Sequence, residues 1–341
     1  MLEREIGLEM ANGIVYGVVV AGGTLSSPLA TRAFGYAEPG HSRRMREDSI
    51  IDLASVSKVL ATTTALLIAR DFYQLDFDRP FIDYLPQYQA ALPQAISIRD
   101  LAMHISGFGA QRYYDAPSAE EIRRNLLTLP PPDSYGKFSY SCWNYHLLSL
   151  ILEQVTQSPF EIFCQEQIFQ PLAMHDTTLG KPRSEDPERL VQSCATEKAG
   201  QISDSIASRL YAAGFATGNA GAFSCAQDLT KFCRCLLQRG VTASGQPLFS
   251  EAGYQDISIA RELSGGVRRS FGWVVADEHK PLGFSEKTIY HSGWSGQTIF
   301  LDFERQFYAI VLTTRALAEY DRAKAGCAKI ISELAKECRI G

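Results

Sequence analysis

The sequence predicts an α+β fold in which segments from both chain ends form one sheet and the middle of the chain forms helices. β-branched residues fill 14–20 near the start, and apolar runs at 297–303 and 307–313 near the end have the length of buried strands. From about 78 to 250 the apolar spacing is helical and is interrupted by Pro and Gly. We therefore expect a helical region inserted into a sheet, with a cleft between the two.

The predicted domain boundaries lie where this pattern changes. Residues 1–77 and 251–341 are expected to form the sheet domain, and residues 78–250 the helical domain. A chain of 341 residues has room for one large domain or two medium ones. Its 45% of hydrophobic residues is enough for a large core, which excludes long disorder as the main state.

The first elements are predicted to be a hairpin and a buried helix. The strand at 14–20 precedes Gly22-Gly23, which predicts a turn, and residues 29–36 are the expected partner strand. Residues 56–71 contain neither Gly nor Pro and are apolar on nearly all sides, which predicts a buried helix directly after Ser55.

The later elements are assigned in the same way, from helical apolar spacing and from strand-like apolar runs. They are, in chain order, a helix start at 97–101, helices at 143–157 and 226–238, the second ended by Gly240, strands at 271–276, 297–303 and 307–313, and a helix at 316–338. Residues 304–306 are expected to be the short hairpin link between the last two strands.

Charge and cysteine content narrow the class of protein. Lys and Arg total 33 against 38 Asp and Glu, so the net charge is −5. The chain also contains no basic run, which argues against a nucleic-acid partner. No apolar stretch reaches the length of a membrane helix, and the first residues lack the pattern of a signal peptide, so we expect a cytoplasmic protein. The eight cysteines include no CxxC pair and are expected to be reduced thiols. No cluster has metal-ligand spacing, so no metal is expected.

The strongest candidate for chemistry is Ser55 followed by Lys58. On a helix these residues share one face, and a serine in the first turn keeps its backbone N–H free to bind an oxyanion. A lysine one turn later can accept the serine proton if it is neutral, or it can stabilise another base. Ser134 and Lys137 have the same spacing, but they lie in a stretch rich in Pro and Gly that predicts a turn. Ser55 is therefore the preferred candidate.

Two further motifs contain residues suited to a cleft. Tyr140 lies in an aromatic segment, 138–145, just before a predicted helix, where its phenol can face a cleft. His291, Ser292 and Gly293 precede Trp294, and a Gly in a strand permits close approach of another backbone or a ligand. Taken alone, each motif is also typical of ordinary packing.

Together the three motifs resemble the serine β-lactamase and penicillin-binding protein superfamily, in particular its class C-like and family VIII esterase-like branch. Residues 52–58 resemble the family's Ser-x-x-Lys element, residues 140–142 its Tyr-x-Asn element, and residues 291–293 its Lys-Thr-Gly or His-x-Gly element. The supporting matches lie at 98–107, 171–177 and 221–229. The resemblance covers nearly the whole chain and implies a three-layer α/β/α sandwich with an inserted all-helical domain.

The resemblance also implies the role of each site residue. Ser55 is the acylated nucleophile, Lys58 and Tyr140 handle its proton, and the backbone N–H groups of Ser55 and Trp294 bind the oxyanion. Substrate binding is implied for four residues, Cys142, His291, Ser292 and Gly293.

The sequence departs from the family pattern at two of these positions. Cys142 replaces the Asn that contacts a substrate amide, and His291 replaces the Lys that attracts a carboxylate. A histidine there is expected to change charge near neutral pH and to make binding of anionic substrates pH-sensitive. The chemistry is therefore expected to be intact while substrate recognition differs.

The predicted function is a serine hydrolase that acts through an acyl-enzyme on a small ester or amide, with an ester favoured. The alternatives are a D-amino-acid peptidase, a β-lactamase, or a penicillin-binding-type protein that acylates without turnover. No G-x-S-x-G elbow or Walker loop occurs, which argues against an α/β-hydrolase and a P-loop protein.

No cofactor is expected, the partner is a small-molecule substrate, and the oligomeric state stays open. His104 and His175 are expected to be structural, and the glycine-rich segment 214–221 to be a turn that lines the cleft.

Overall fold

The computed structural model describes residues 1–109, 116–193, 198–315 and 320–340, and it confirms the predicted α+β fold. The helices are α1 Leu2–Ala11, α2 Thr64–Tyr73, α3 Ile98–Ala102, α4 Ala119–Thr128, α5 Cys142–Thr156, α6 Phe160–Cys164, α7 Ser205–Ala212, α8 Ala226–Leu237, α9 Glu251–Ser258 and α10 Tyr320–Glu337. The strands are β1 Val15–Thr24, β2 Arg32–Gly35, β3 Ile51–Asp52, β4 Thr178–Leu179, β5 Ala222–Ser224, β6 Arg261–Glu262, β7 Arg268–Arg269, β8 Val274–Ala276, β9 Thr288–Ser292, β10 Thr298–Asp302 and β11 Phe307–Arg315.

The main sheet joins the two ends of the chain. It has eight strands in the order β2-β1-β11-β10-β9-β8-β7-β6, and each neighbouring pair is antiparallel. The first strand lies beside the last, with Val18 opposite Thr313 and Val20 opposite Val311. Strand β9, which ends in Ser292, therefore lies in the interior of the sheet.

Alternating side chains give the sheet two buried faces. On the outer face Val18, Val20 and Phe300 pack against α1 and α10. On the inner face Val19 and Ile310 belong to a second cluster, which includes α2, α5 and α8. The order of helices, sheet and helices is that of a three-layer sandwich, and it follows from the period of two along each strand.

The predicted turn at Gly22-Gly23 is wrong. Strand β1 continues through both glycines to Thr24, and the chain turns only afterwards, where Ser27 donates its N–H to the Thr24 hydroxyl (3.0 Å). A side chain at Gly22 would place its Cβ 2.9 Å from the Tyr308 carbonyl oxygen. Here glycine allows close approach of the neighbouring strand rather than a reversal of the chain.

The helix predicted at 56–71 forms, but its first half is not a regular α-helix. A 3₁₀ turn over Ala54–Val56 leads into a π-helical segment over Lys58–Thr63, and α2 begins at Thr64. The Thr64 hydroxyl donates to the Val59 carbonyl (2.9 Å) within this widened turn. Widened turns of this kind occur often at functional sites.

A small second sheet carries the segment before Ser55. Its strand order is β3-β5-β4, and Asp52 lies opposite Phe223. The proposed division into 1–77 with 251–341 and 78–250 stays a prediction, and a single hydrophobic cluster runs from the inner face of the main sheet into the helices. None of the described helices is long and apolar enough to cross a lipid bilayer.

Candidate active site

The turn that carries Ser55 is held by a buried carboxylate. One oxygen of Asp52 accepts the N–H of Ala54 (3.0 Å), and the other accepts the N–H of Ser203 (2.7 Å). Ala54 adopts a left-handed conformation with φ of 46°, which is uncommon for a residue with a Cβ. These two bonds fix the turn that positions the Ser55 side chain, which is partly exposed.

Lys58 contacts Ser55 from a fully buried position. Its Nζ donates to the Ser55 Oγ (3.0 Å), to the Asn219 carbonyl (2.9 Å) and to the Cys142 sulfur (3.5 Å). Burial alone would lower the pKa of Lys58, but the acidic groups of Cys142 and Tyr140 outweigh this effect and raise it. Lys58 therefore remains a cation at neutral pH, which favours its role as stabiliser of another base.

Tyr140 lies directly beside this cation, just before α5. The Lys58 Nζ is 5.1 Å from the centre of the Tyr140 ring, and the ring packs against His104 at 4.6 Å between centroids. Removal of the phenol from water raises the pKa of Tyr140 to about 12, although 42% of the residue's surface stays exposed. The positive charge of Lys58 opposes this rise. Tyr140 therefore lies where the Lys58 cation can stabilise its phenolate form.

A buried network anchors the segment that carries Tyr140. The His104 Nδ1 accepts the N–H of Ser141 (3.1 Å) and lies 3.2 Å from the Asn144 Nδ2. The Asn144 Oδ1 accepts a hydrogen bond from the Ser106 hydroxyl (2.6 Å). Both polar ends of the Asn144 side chain are therefore engaged in this network, and Cys142 is the described residue of α5 whose side chain accepts a hydrogen bond from Lys58.

Strand β9 ends against the Ser55 turn at Gly293. A Cβ on Gly293 would lie 2.8 Å from the Leu53 carbonyl oxygen and 3.1 Å from the Ala54 Cβ, so only glycine permits this approach. The next residue, Trp294, donates its indole N–H to the Ser203 hydroxyl (2.9 Å). No described residue accepts a hydrogen bond from the Trp294 backbone N–H. This group is therefore available, and its role as an oxyanion donor stays a prediction.

His291 lies on β9 in a buried position, with 3% of its surface exposed. Its Nδ1 is 3.2 Å from the Ser292 carbonyl oxygen, and its Nε2 has no partner among the described residues. Burial, followed by the positive charges of Arg269 and Lys58, holds the pKa of His291 well below its ordinary value. The expectation that His291 changes charge near neutral pH is wrong, because the buried imidazole stays neutral there.

A cavity of about 450 Å³ opens beside these residues. Its walls include Tyr140, His291 and Ser292, and they continue to Arg269 on β7 and Phe138. This volume lies within the range of small-molecule sites. The cavity extends the site from Tyr140 along the end of β9.

The structure separates the two serine–lysine pairs. Ser134 lies in an exposed loop outside any helix, whereas Ser55 lies in a helical turn one hydrogen bond from Lys58.

Sequence reasoning missed several residues that support the site. The Asn219 carbonyl comes from the glycine-rich segment 214–221, and its contact with Lys58 agrees with the expectation that this segment lines the cleft. Asp52 lies within the motif at 52–58 but was given no role, and Ser203 and Arg269 gave no recognisable signal. Their contacts join parts of the chain that are far apart in sequence.

One group of possible metal ligands occurs among the described residues, formed by Asp176, Cys225 and Asp228. Arg189 forms two hydrogen bonds to the Asp176 carboxylate (2.9 and 2.7 Å), and Lys231 donates to Asp228 (2.8 Å). These cations already neutralise the carboxylates. None of the three ligand candidates belongs to the predicted catalytic set.

Comparison with known proteins identifies the family. The Beta-lactamase family model matches residues 2–328. The chain belongs to the β-lactamase family. Membership confirms the predicted resemblance and the predicted enzyme class, a serine hydrolase of the β-lactamase-like superfamily.

Relatives within and around this family carry several activities in their names. The chain is 23% identical to an N-acetylmuramyl-L-alanine amidase of Bacillus subtilis (strain 168), over 89% of this chain and 76% of that protein. Its fold is similar to that of EstCE1, a hydrolase with promiscuous acyltransferase activity (TM-score 0.78, 20% identity, 97% of each chain). It is also similar to that of a class C β-lactamase from Rhodobacter sphaeroides (TM-score 0.77, 17% identity, 98% of this chain and 99% of that one).

Proposed function

We propose that the protein hydrolyses a small ester or amide through an acyl-enzyme on Ser55, with esters preferred. The observation that supports this most directly is the contact of Ser55 Oγ with Lys58 Nζ at 3.0 Å, in a lysine that is fully buried and held as a cation. A buried cation beside a hydroxyl stabilises the negative charge that develops when the hydroxyl loses its proton.

The proposed reaction has two halves. As Ser55 Oγ bonds to the carbonyl carbon, its proton passes to Tyr140, whose phenolate form Lys58 stabilises. The backbone N–H groups of Ser55 and Trp294 bind the carbonyl oxygen as it becomes negative. Tyr140 then returns the proton to the leaving alcohol or amine. In the second half a water molecule, deprotonated by the same base, attacks the acyl-enzyme, and the acid departs as Ser55 regains its proton.

The preference for esters is supported by the residue at position 142. An Asn offers a strong donor and acceptor to a substrate amide, whereas the Cys142 thiol offers weak versions of both and is already in contact with Lys58. Amide hydrolysis is the second candidate, because the Bacillus subtilis relative is named an amidase.

The proposed compartment is the cytoplasm, and the proposed partner is a small-molecule ester or amide. Seven described cysteines are free thiols, which agrees with a reducing environment. Cys194, the eighth, lies outside the described residues.

The test is a side-by-side assay of p-nitrophenyl butyrate, nitrocefin and D-alanine p-nitroanilide. The wild-type enzyme should turn over the ester with the highest kcat/KM. Ser55→Ala should abolish turnover of every substrate, and Ser134→Ala, in the exposed loop, should not change it. A burst of one equivalent of p-nitrophenol followed by no further release would instead identify a protein that acylates without turnover.

A further inference from the structure

We infer that Ser203 and Arg315 are positioning residues, which hold Trp294 so that its backbone N–H can bind the oxyanion. This inference rests on the proposed function, because it concerns the second oxyanion donor of the same reaction. Both residues lie outside the three sequence motifs. Neither needs to touch the substrate, and each acts through its contact with Trp294.

The Trp294 backbone N–H points out of a tight turn formed by residues 293–296. In this turn Gly296 donates its N–H to the Gly293 carbonyl (3.0 Å). The C=O and N–H of one trans peptide point in opposite directions. The Gly293 carbonyl and the Trp294 N–H belong to the same peptide, so the N–H points away from the turn. Gly293 itself lies against the segment that carries Ser55.

Three contacts hold Trp294 in this turn. Its indole N–H donates to the Ser203 hydroxyl (2.9 Å), and the Arg315 guanidinium carbon lies 5.0 Å from its ring centre. The same guanidinium donates to the Trp294 carbonyl (3.2 Å). A cation over an indole ring and a hydrogen bond from a charged donor are both favourable contacts. The ring and the backbone of Trp294 are therefore fixed together.

Ser203 is in turn tied to the segment that carries the nucleophile. Its backbone N–H donates to one oxygen of Asp52 (2.7 Å), and the other oxygen accepts the N–H of Ala54 (3.0 Å). Ala54 directly precedes Ser55, whose N–H is the first proposed oxyanion donor. One buried carboxyl group therefore connects the Ser55 segment, through Ser203, with the residue that supplies the second donor.

Arg315 reaches the turn from the end of strand β11. Its backbone N–H donates to the Ser193 carbonyl (2.8 Å), which fixes its position. On the same strand the Thr313 hydroxyl donates to the Ser295 carbonyl (2.8 Å). Strand β11 thus bonds to two consecutive carbonyl groups of the turn. The described walls of the 450 Å³ cavity do not include Arg315.

The direction of the Trp294 N–H matters most when charge develops on the substrate oxygen. An oxyanion donor accelerates the reaction when it is already aimed at the place that this oxygen takes in the tetrahedral state. A misdirected donor weakens binding of that state more than binding of the ester. Loss of the Ser203 or Arg315 contact is therefore expected to lower kcat while KM changes little.

The experiment measures hydrolysis of p-nitrophenyl butyrate and its inhibition by phenylboronic acid. Boron bonds to Ser55 Oγ, whose proton is released, and the tetrahedral anion resembles the charged intermediate. Ser203→Ala and Arg315→Met should each lower kcat about tenfold and keep KM within about twofold. The inhibition constant of phenylboronic acid should rise by the same factor. Ser193→Ala, the control, removes a buried hydroxyl that has no partner among the described residues and should keep all three values.

A double-mutant cycle tests the Ser203 contact without relying on overall stability. Trp294→Phe removes the indole N–H from the other side of the same hydrogen bond and keeps a ring next to Arg315. Ser203→Ala combined with Trp294→Phe should lower kcat no further than either single variant. Titration of Ser55 with a fluorophosphonate corrects every rate for the amount of folded enzyme.

The inference is overturned if either Ser203→Ala or Arg315→Met folds and keeps the wild-type kcat. It is also overturned if kcat falls while the inhibition constant of phenylboronic acid does not change. If Arg315→Met does not fold, Ser203→Ala and the cycle decide, and losses that multiply in the cycle overturn the inference. If the wild-type enzyme is not labelled at Ser55 and hydrolyses no ester, the proposed function fails instead.

Discussion

At the residue scale, the site depends on the protonation states of Lys58 and Tyr140. Lys58 keeps its proton because three acceptors surround its ammonium group. Tyr140 also keeps its proton at rest, since burial raises the pKa of its phenol to about 12. The Ser55 proton can pass only to the small fraction of molecules in which Tyr140 is a phenolate, and the Lys58 cation stabilises this form. The two residues act as one unit.

The first prediction tests this unit. Lys58→Met and Tyr140→Phe should each lower kcat for p-nitrophenyl butyrate by on the order of 10²-fold or more. The double variant should have a kcat only slightly lower than that of either single variant, because neither Lys58 nor Tyr140 can handle the proton without the other. Tyr135→Phe, an exposed tyrosine that contacts Asp100, is the control and should keep the wild-type kcat. Losses that multiply in the double variant would show that the two residues act independently.

The second prediction concerns Cys142. Wild-type kcat/KM should be higher for p-nitrophenyl butyrate than for nitrocefin, and Cys142→Asn should raise the nitrocefin value about threefold to tenfold, because one hydrogen bond to the substrate amide is restored. Cys142→Ala removes the thiol without adding an amide, so it should not reproduce this gain. Efficient nitrocefin turnover by the wild-type enzyme, unchanged in Cys142→Asn, would contradict the prediction.

At the scale of elements, the turn before Ser55 depends on the Asp52 carboxyl. Burial raises the pKa of Asp52 to about 6 from an ordinary value of 3.8, and hydrogen bonds from Ser203 and Ala54 reduce the rise. The folded protein therefore holds this proton more tightly than the unfolded chain. Its contribution to stability is complete below about pH 3.8 and is lost as the pH rises through about 6.

The third prediction follows from the direction of this pKa shift. The difference of about two pKa units corresponds to about 3 kcal/mol in the free energy of unfolding. Asp52→Asn cannot ionise, so the stability of wild type relative to this variant should fall by about 2 kcal/mol between pH 4 and pH 7. Urea unfolding of both proteins at several pH values measures this difference in the free energy of unfolding. A difference that is independent of pH would show that Asp52 has an ordinary pKa in the folded state.

The sequence predicted the elements around the site better than their local geometry. It predicted the helix after Ser55, the strands at 297–303 and 307–313 and their short link, because periodicity reports which faces are buried. It did not predict the π-helical segment Lys58–Thr63, which involves a hydroxyl–carbonyl contact across five residues. It also placed a turn at Gly22-Gly23, since glycine is typical of turns as well as of close strand contacts.

At the scale of the whole molecule, the sheet holds both chain ends beneath the site. Phe300 on β10 is fully buried on the outer face, where its ring lies 4.4 Å from that of Phe284. The supporting contacts of the site depend on this assembly, because Asp52, Ser203 and Trp294 come from three distant parts of the chain. Such contacts have no local pattern, so the sequence could not predict them. The neutral state of His291 was missed for the same reason.

The fourth prediction tests the outer layer. Phe300→Ala should reduce the free energy of unfolding by about 3–5 kcal/mol, since it leaves a cavity between the sheet and the outer helices. Phe72→Ala, at a residue that is 65% exposed, is the control and should change it by less than about 0.5 kcal/mol. Urea unfolding followed by far-UV circular dichroism gives both values. A loss below about 1 kcal/mol for Phe300→Ala would contradict the described packing.

The central claim is that Ser55 becomes covalently acylated, and mass spectrometry tests it most directly. The enzyme is mixed with p-nitrophenyl butyrate, quenched in acid within the first turnovers, and digested for peptide mapping. We predict a mass increase of one butyryl group on the peptide that contains Ser55, and none in Ser55→Ala. A fluorophosphonate label should modify the same residue. Modification of Ser134 or of Cys142 instead, with Ser55 unmodified, would contradict the account.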